Sequence, residues 1–289
     1  MIQMKRVDAR APVRIDLAGG WTDVPPYTHE VGGEVVNVAI NIHAHASLEI
    51  DDDGCLSVNY RCDAPVGSGL GTTGAINVAL MAAINGADNA EEAAYQFEAL
   101  LGNTGGRQDQ WAAKHGGFNH LMFIGDSVEE MPFDPPRSAR FWLQKHLIVA
   151  NTGIPHVSGD LHDAIWEKYA AKDESVIEGL MTIRLAARKM AQALDQDRRD
   201  LVIEALQDVC KGVDSLDLSL HDPFREVVNP LLESKDVAAW KALGAGGGGC
   251  VALLSGPQRQ EAVIAACEAA GWEILDWDYD DAGLEINAS

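Results

Sequence analysis

Four glycines fall within the eight residues from Gly67 to Gly74, in the stretch PVGSGLGTTGA, and two hydroxyl residues, Thr72 and Thr73, stand where small apolar residues at helical spacing begin. This pattern suits phosphate. Glycines let backbone N–H groups approach an anion closely, a helix N-terminus adds partial positive charge, and a hydroxyl there can ligate Mg²⁺. Gly67, Ser68, Gly69, Gly71, Thr72 and Thr73 are therefore the candidate phosphate-binding residues. Other readings of the loop are weaker. A Walker A loop needs a lysine after its glycines, and none follows here. Gly69, Gly71 and Gly74 spell GxGxxG with Asp88 downstream, but a dinucleotide loop opens the first βαβ unit, whereas several strand-like stretches precede this one. A plain turn accounts for isolated glycines better than for four of them followed by two threonines.

The bulk composition narrows the partners. With 44 acidic against 22 basic residues, the net charge of −22 argues against a broad nucleic-acid or anionic-membrane surface, because such surfaces neutralise phosphates with cations. Any phosphate site must be local. No run approaches the ~20 apolar residues of a membrane span, and MIQMKRVDARAP has no apolar signal core, so a cytoplasmic protein is expected. Five scattered cysteines without a CxxC pair predict buried free thiols, neither disulfides nor zinc. His43 and His45 share a strand face but have no third ligand nearby, so a polar strand face is expected there.

The elements that must position the loop follow from periodicity. Residues 13–18, 34–50 and 55–60 read as strands, and 72–84 and 90–101 as helices, with Asn89 as an N-cap. A loop, GNTGGRQDQ, and a strand-like GGFNHLMF come next. The acidic, proline-bearing GDSVEEMPFDPPRSAR breaks the pattern and predicts a boundary between residues 1–140 and 141–289. KHLIVANTG then reads as a strand, 160–194 and 198–213 as long helical stretches, and the glycine run GAGGGGC leads into VALLSG. A helix over 257–270 and a strand EILDWDYD complete an α+β design in two domains.

Three segments, taken together, resemble the GHMP kinases, a family of small-molecule kinases. PVGSGLGTTGA is similar to the family's phosphate loop, APVRIDLAGGWTDVPPY to the N-terminal motif of its sugar kinases, and GAGGGGC to its third, C-terminal glycine motif. They occur in the family's order, and DDAGLEI is similar to its last strand. The resemblance implies the two-domain GHMP fold, with the active site in the cleft between domains, ATP and Mg²⁺ as cofactors and a small-molecule sugar as partner.

The same resemblance assigns roles. Asp109, in GRQDQWAAKHGG, matches the catalytic aspartate, and Arg14 matches the basic residue beside the acceptor hydroxyl, with Asp109 as its expected partner. Glu98 and Thr73 match the Mg²⁺ ligands. Trp21 and Asp23, in GGWTD, suit a monosaccharide, which is held by carboxylates on paired hydroxyls and by aromatic rings on its apolar face. Gly247 and Gly248 of the third motif are further substrate-binding candidates. Gly74 replaces the serine or alanine of related loops and predicts a looser helix entry. The connection between Tyr60 and Pro65 is short and predicts a reduced nucleotide wall.

The expected reaction is transfer of the γ-phosphoryl of ATP to a sugar hydroxyl, the anomeric one. GGWTD followed by PPY is most similar to L-fucose kinases, while the size and GGRQDQWAA are similar to D-glycero-D-manno-heptose 7-phosphate kinases. An L-fucose-like hexose is the expected acceptor, since the residues around GGWTD offer an apolar wall and acids, and a second phosphate would be repelled unless a distant basic residue such as Arg61 or Lys114 turned inward. The heptose 7-phosphate and a non-catalytic sugar- or nucleotide-binding protein are the alternatives.

Overall fold

The computed structural model describes residues 5–65, 67–103, 105–154 and 159–289. Its first part runs β1 (Lys5–Ala18), α1 (Tyr27–Glu30), β2 (Gly33–Ile50), β3 (Leu56–Cys62), α2 (Thr72–Asn85), α3 (Ala90–Leu100) and α4 (Gln108–His115). Next come β4 (Phe118–Ile124), β5 (Ser127–Met131), α5 (Arg137–His146) and β6 (Leu147–Asn151). The helices α6 (Gly159–Ala170), α7 (Glu174–Asp195), α8 (Arg199–Leu216) and α9 (Asp222–Glu233) follow. The chain ends with β7 (Val237–Ala242), β8 (Cys250–Ser255), α10 (Gln260–Ala269), β9 (Glu273–Leu275) and β10 (Glu285–Ala288).

Among the described residues these strands form two sheets, β10-β1-β2-β4-β5 with β3 beside β2, and β7-β8-β6-β9. All the pairings are antiparallel. This is the α+β class expected. β2 is buried without interruption from Gly33 to Ile40, because α2 and α7 both pack against it. A strand covered on both faces is buried at successive residues, here including the polar Glu34 and Asn37, and alternation returns only towards its exposed end. β10, from the end of the chain, pairs with β1 at its start, so sheet membership does not follow the two halves of the sequence.

The core is carried by α7, whose Val176, Leu180, Ile183, Ala187, Met190 and Leu194 recur at three- and four-residue spacing and are all buried. Its helix pair with α8 is close. A Cβ at Gly179 would lie 2.7 Å from the carbonyl oxygen of Gly212, and one at Gly212 only 2.6 Å from the Ile183 side chain. Larger residues at either position would push the helices apart.

Several expectations are corrected here. The loop assigned to GNTGGRQDQ ends early, because α4 begins at Gln108 and places Asp109 in its first turn. The acidic stretch at 125–140 contains β5 and the start of α5, and Lys145 and His146 are helical, not part of the strand. The helical stretch over 160–194 is two helices, α7 starting afresh where the Asp173 side chain accepts from the Val176 N–H. Asn89 precedes α3 in a left-handed conformation, but its side chain makes no capping bond. EILDWDYD forms a strand only over 273–275, with an isolated bridge from Tyr279 to Ile40. The five thiols are free, yet Cys55 is exposed; Cys250 and Cys267 are buried. His43 and His45 each bond a carboxylate, Asp280 and Asp63, and among the described residues no cluster of three metal-ligating groups forms.

Candidate active site

The glycine loop and the first turn of α2 line one wall of a cleft of about 750 Å³. α2 starts at Thr72 from Gly71, which is left-handed at φ 77°, and no acid of its own occupies its first turn; the carboxylate that faces this positive end is that of Asp109. The loop is held from two sides. The Arg14 N–H donates to the Leu70 carbonyl at 2.9 Å, and the Cys250 N–H donates to the Ser68 carbonyl at 2.8 Å. A side chain at Gly69 would run into the carbonyl of Leu243, so β1 of the first sheet and the turn between β7 and β8 of the second clasp the same loop.

Arg14 and Asp109 meet at this loop, as expected from the sequence. The Arg14 Nε and Nη2 donate to Asp109 Oδ1 at 2.8 and 2.6 Å, and Nη1 donates to the Gly69 carbonyl at 2.6 Å. Arg14 is buried, so this bonding satisfies a charge that would otherwise be costly. Asp109 Oδ2 remains towards Gly71. The expectation of a loosened helix entry at Gly74 is corrected: a Cβ there would lie 2.6 Å from the Cβ of Asp109 and 3.3 Å from its carbonyl carbon. Only glycine lets α2 approach α4 this closely.

Glu98 is buried on α3 rather than solvated. Its Oε1 accepts from Gln110 Nε2 at 2.9 Å and its Oε2 from Asn103 Nδ2 at 3.0 Å. Burial pushes its carboxyl above the usual range; hydrogen bonds from Asn77 and Gln110 oppose this, and the charge of Asp109 adds to it. Glu98 and Thr73 both line the cleft. The side-chain oxygen of Gln110 is buried with no protein partner. The Glu98 carboxylate, although both its oxygens already accept from amides, and the Thr73 hydroxyl are oxygen ligands of the kind a hard divalent cation of the Mg²⁺ type takes, its shell typically completed by phosphate and water.

At the other end of the cleft, Gly19–Asp23 forms a tight turn pinned to β2 by Thr22. The Thr22 hydroxyl donates to the Gly19 carbonyl at 2.7 Å and accepts from the Glu34 N–H at 3.1 Å. Trp21 takes φ 86°, a conformation costly for a residue with a side chain, and its ring stacks on His162 with centroids 5.0 Å apart. Asp23 is buried, and the Gln108 backbone N–H donates to its Oδ2 at 3.2 Å. Burial, and after it the charge of Asp109, pushes the Asp23 carboxyl up to about 7.

The sequence reading missed several groups. Asp16, two residues after Arg14 on β1, is buried in the cleft wall and pairs with Lys241 of β7 at 2.7 Å, an ion pair that joins the two sheets. Side chains at i and i+2 of a strand share a face, so Asp16 was legible beside Arg14; Lys241 lies 225 residues away and was not. Gln108 and His162 also line the cleft. Gly247 and Gly248 are not among the lining residues: Gly244 and Ala245 are, while the Gly247 N–H donates to the Leu220 carbonyl at 2.8 Å. Tyr60, Arg61, Cys62, Ala64 and Pro65 all line the cleft, so the short connection still supplies wall. Arg61 is tied to Asp63, and the Lys114 ammonium bonds the Ala87 carbonyl instead of a cleft group.

Residues 34–117 match the GHMP kinases N terminal domain. Over 98% of its length the chain is 23% identical to the D-glycero-alpha-D-manno-heptose 7-phosphate kinase of Campylobacter jejuni, covering 99% of that protein. It is 22% identical to the bifunctional fucokinase/GDP-fucose pyrophosphorylase of Arabidopsis thaliana over 88% of this chain and 30% of that one. Among solved structures, a D-glycero-D-manno-heptose 1-phosphate kinase from Bacteroides thetaiotaomicron superposes with a TM-score of 0.78 at 22% identity, over 97% of this chain and 98% of that one. The chain thus carries the GHMP kinase N-terminal domain and, from end to end, the fold of GHMP kinases.

Proposed function

We propose that this protein is an ATP-dependent sugar kinase, transferring the γ-phosphoryl of ATP to a monosaccharide hydroxyl, with the anomeric hydroxyl of an L-fucose-like hexose as acceptor. The single observation that carries the reading is the Arg14–Asp109 pair, held 2.6 Å apart against the carbonyl of the phosphate loop. The cleft then lies between two lobes, residues 1–140 and 141–289, with β10 returning to the first. A cytoplasmic location and the absence of a nucleic-acid partner go with the net charge of −22, and among the described residues no helix is long and apolar enough to cross a membrane.

Phosphoryl transfer asks mainly for positioning and charge neutralisation. Gly67, Ser68, Gly69, Gly71, Thr72 and Thr73 would hold the phosphates through backbone N–H groups and hydroxyls, and Trp21 and Asp23 would orient the sugar. The acceptor oxygen attacks the γ-phosphorus, the bond to the bridging oxygen of ADP breaks, and the acceptor proton passes to Asp109 Oδ2, the oxygen not engaged by Arg14. Arg14 stabilises the charge that spreads over the transferring group. Thr73 and Glu98 would hold a Mg²⁺ ion, which would supply further neutralisation of that charge.

The end-to-end similarity to a heptose 7-phosphate kinase favours that substrate as the second reading. A non-catalytic role loses its support, because Gly74 and the short connection each have a structural account. The test is a panel of monosaccharides and sugar phosphates with Mg·ATP, scored for ADP release and for the position of the new phosphate. No sugar-dependent ADP from any acceptor would sink the kinase reading.

A further inference from the structure

Beyond Asp23, the acceptor end of the cleft holds buried polar atoms with no protein partner: Asp16 Oδ1, Gln108 Oε1 and Trp21 Nε1. Gln108 is the best placed of the three. It is 6% exposed, it immediately precedes Asp109, and it lies in the cleft wall. Its backbone N–H donates to Asp23 Oδ2 at 3.2 Å, and its Nε2 lies 3.5 Å from Asp23 Oδ1. The amide orientation follows from this contact, since the reverse would set the carbonyl oxygen against a carboxylate. Gly20 leaves room for it: a Cβ there would lie 3.2 Å from Gln108 Nε2 and would run into Asp16 Oδ2. The side chain is thus held on Asp23, with its carbonyl oxygen unpaired.

An unpaired carbonyl in a buried wall is costly unless a donor reaches it. The unpaired oxygens of Gln108 and Asp16 call for donors, which hydroxyls supply and phosphate oxygens do not. We propose that Gln108 is a specificity-determining residue whose carbonyl oxygen accepts a hydrogen bond from an acceptor hydroxyl next to the one bound by Asp23. This rests on the sugar-kinase reading and narrows it to polyhydroxylated acceptors that present unmodified neighbouring hydroxyls at this wall.

The test compares the wild type with Gln108→Met, which keeps the length of the side chain and removes its polar atoms. L-fucose, D-mannose and their monodeoxy analogues are measured both by calorimetric Kd and by kcat/KM. In the wild type, one analogue lacking the hydroxyl read by Gln108 should lose roughly 10- to 10²-fold. In Gln108→Met the parent sugar should fall by a similar factor, that analogue should lose nothing further, and KM for ATP should hold. A uniform loss across all analogues would overturn the proposal, because a residue that merely braces Asp23 affects every sugar alike. Sugar binding without ADP release would count against the kinase reading while the Kd series still decides Gln108; no binding of any of these sugars would overturn both.

Discussion

At Asp109 two requirements meet, the proposed proton acceptor beside the glycine loop and a partner for the buried Arg14. Asp109→Asn keeps the shape and some of the hydrogen bonding but removes the base, so kcat should fall by roughly 10² or more while ATP binding persists. Steady-state kinetics with nucleotide calorimetry checks this, and near-normal turnover would place the base elsewhere. Asp23 makes a second prediction. Its carboxyl is pushed up to about 7 from the ordinary 3.8, so the folded chain keeps a proton that the unfolded chain has already lost. The stability this contributes is full below the unfolded value and is lost as pH rises through about 7. The ligand-free melting temperature should therefore rise on acidification from pH 8 to pH 6, and Asp23→Asn should flatten that slope. Sugar affinity should run the other way, because the ionised carboxylate is the better hydroxyl acceptor. An unchanged pH slope in Asp23→Asn melts would contradict both expectations.

Among the elements, the contact between α2 and α4 sets the geometry of the chemistry. Gly74→Ala would place its methyl 2.6 Å from the Cβ of Asp109, so α4 or the loop must shift. A displacement of this kind can cost up to roughly 10²-fold in rate, and kcat should fall far more than ATP affinity, as single-turnover rates and nucleotide titration would show. Gly69→Val should weaken ATP more than sugar, now for two reasons: the side chain blocks N–H approach to phosphate, and it pushes the Leu243 carbonyl away. The turn that carries Trp21 and Asp23 depends on β2, where buried Glu34 bonds His120 at 2.9 Å and Arg188 at 2.7 Å. Burial alone would raise the Glu34 carboxyl, but the bonds from His120 and Arg188 outweigh it and hold it below the usual range. Its contribution to stability is present above the unfolded value of 4.5 and is lost as pH falls through the lower folded value. Glu34→Gln should narrow the difference in melting temperature between pH 6 and pH 3.

At the scale of the whole molecule, the charge of the cleft bears on the proposed acceptor. The cleft is lined by the carboxylates of Asp16, Asp23, Glu98, Asp109 and Asp163, and by two arginines, Arg14 and Arg61, each already paired with a carboxylate. A second phosphate on the acceptor brings about two negative charges and meets no unpaired cation among the lining residues described. L-fucose should therefore outcompete the heptose 7-phosphate at equal concentration, and a strong, salt-sensitive preference for the phosphorylated sugar would reverse the assignment. The Asp16–Lys241 pair joins the sheets beneath this cleft. Lys241→Met would leave a buried carboxylate alone, a change that typically costs about 3–5 kcal/mol, and denaturant unfolding should show it. Little loss would mean that Asp16 becomes protonated or hydrated.

The chemistry was legible in the sequence wherever it depends on neighbours along the chain. The Gly67–Thr73 pattern proposed for phosphate needs only consecutive backbone N–H groups and a helix start, which spacing along the chain displays, and the apolar periods of β2 and α7 report the faces they bury. β5, α5, α9 and β7 escaped: an acidic, proline-bearing stretch masks β5 and the start of α5, Pro223 and Pro230 interrupt the otherwise periodic α9, and β7 is a short apolar run just before the glycine run. Asp16 with Lys241, the amides around Glu98, and the role of Gly74 belong to the tertiary structure alone. Each depends on how separate segments pack, such as the 2.6 Å that a Cβ at Gly74 would leave to Asp109. Spacing along a chain reports which face a residue shares with its neighbours; only folding brings distant faces together and so decides which buried charge finds its partner.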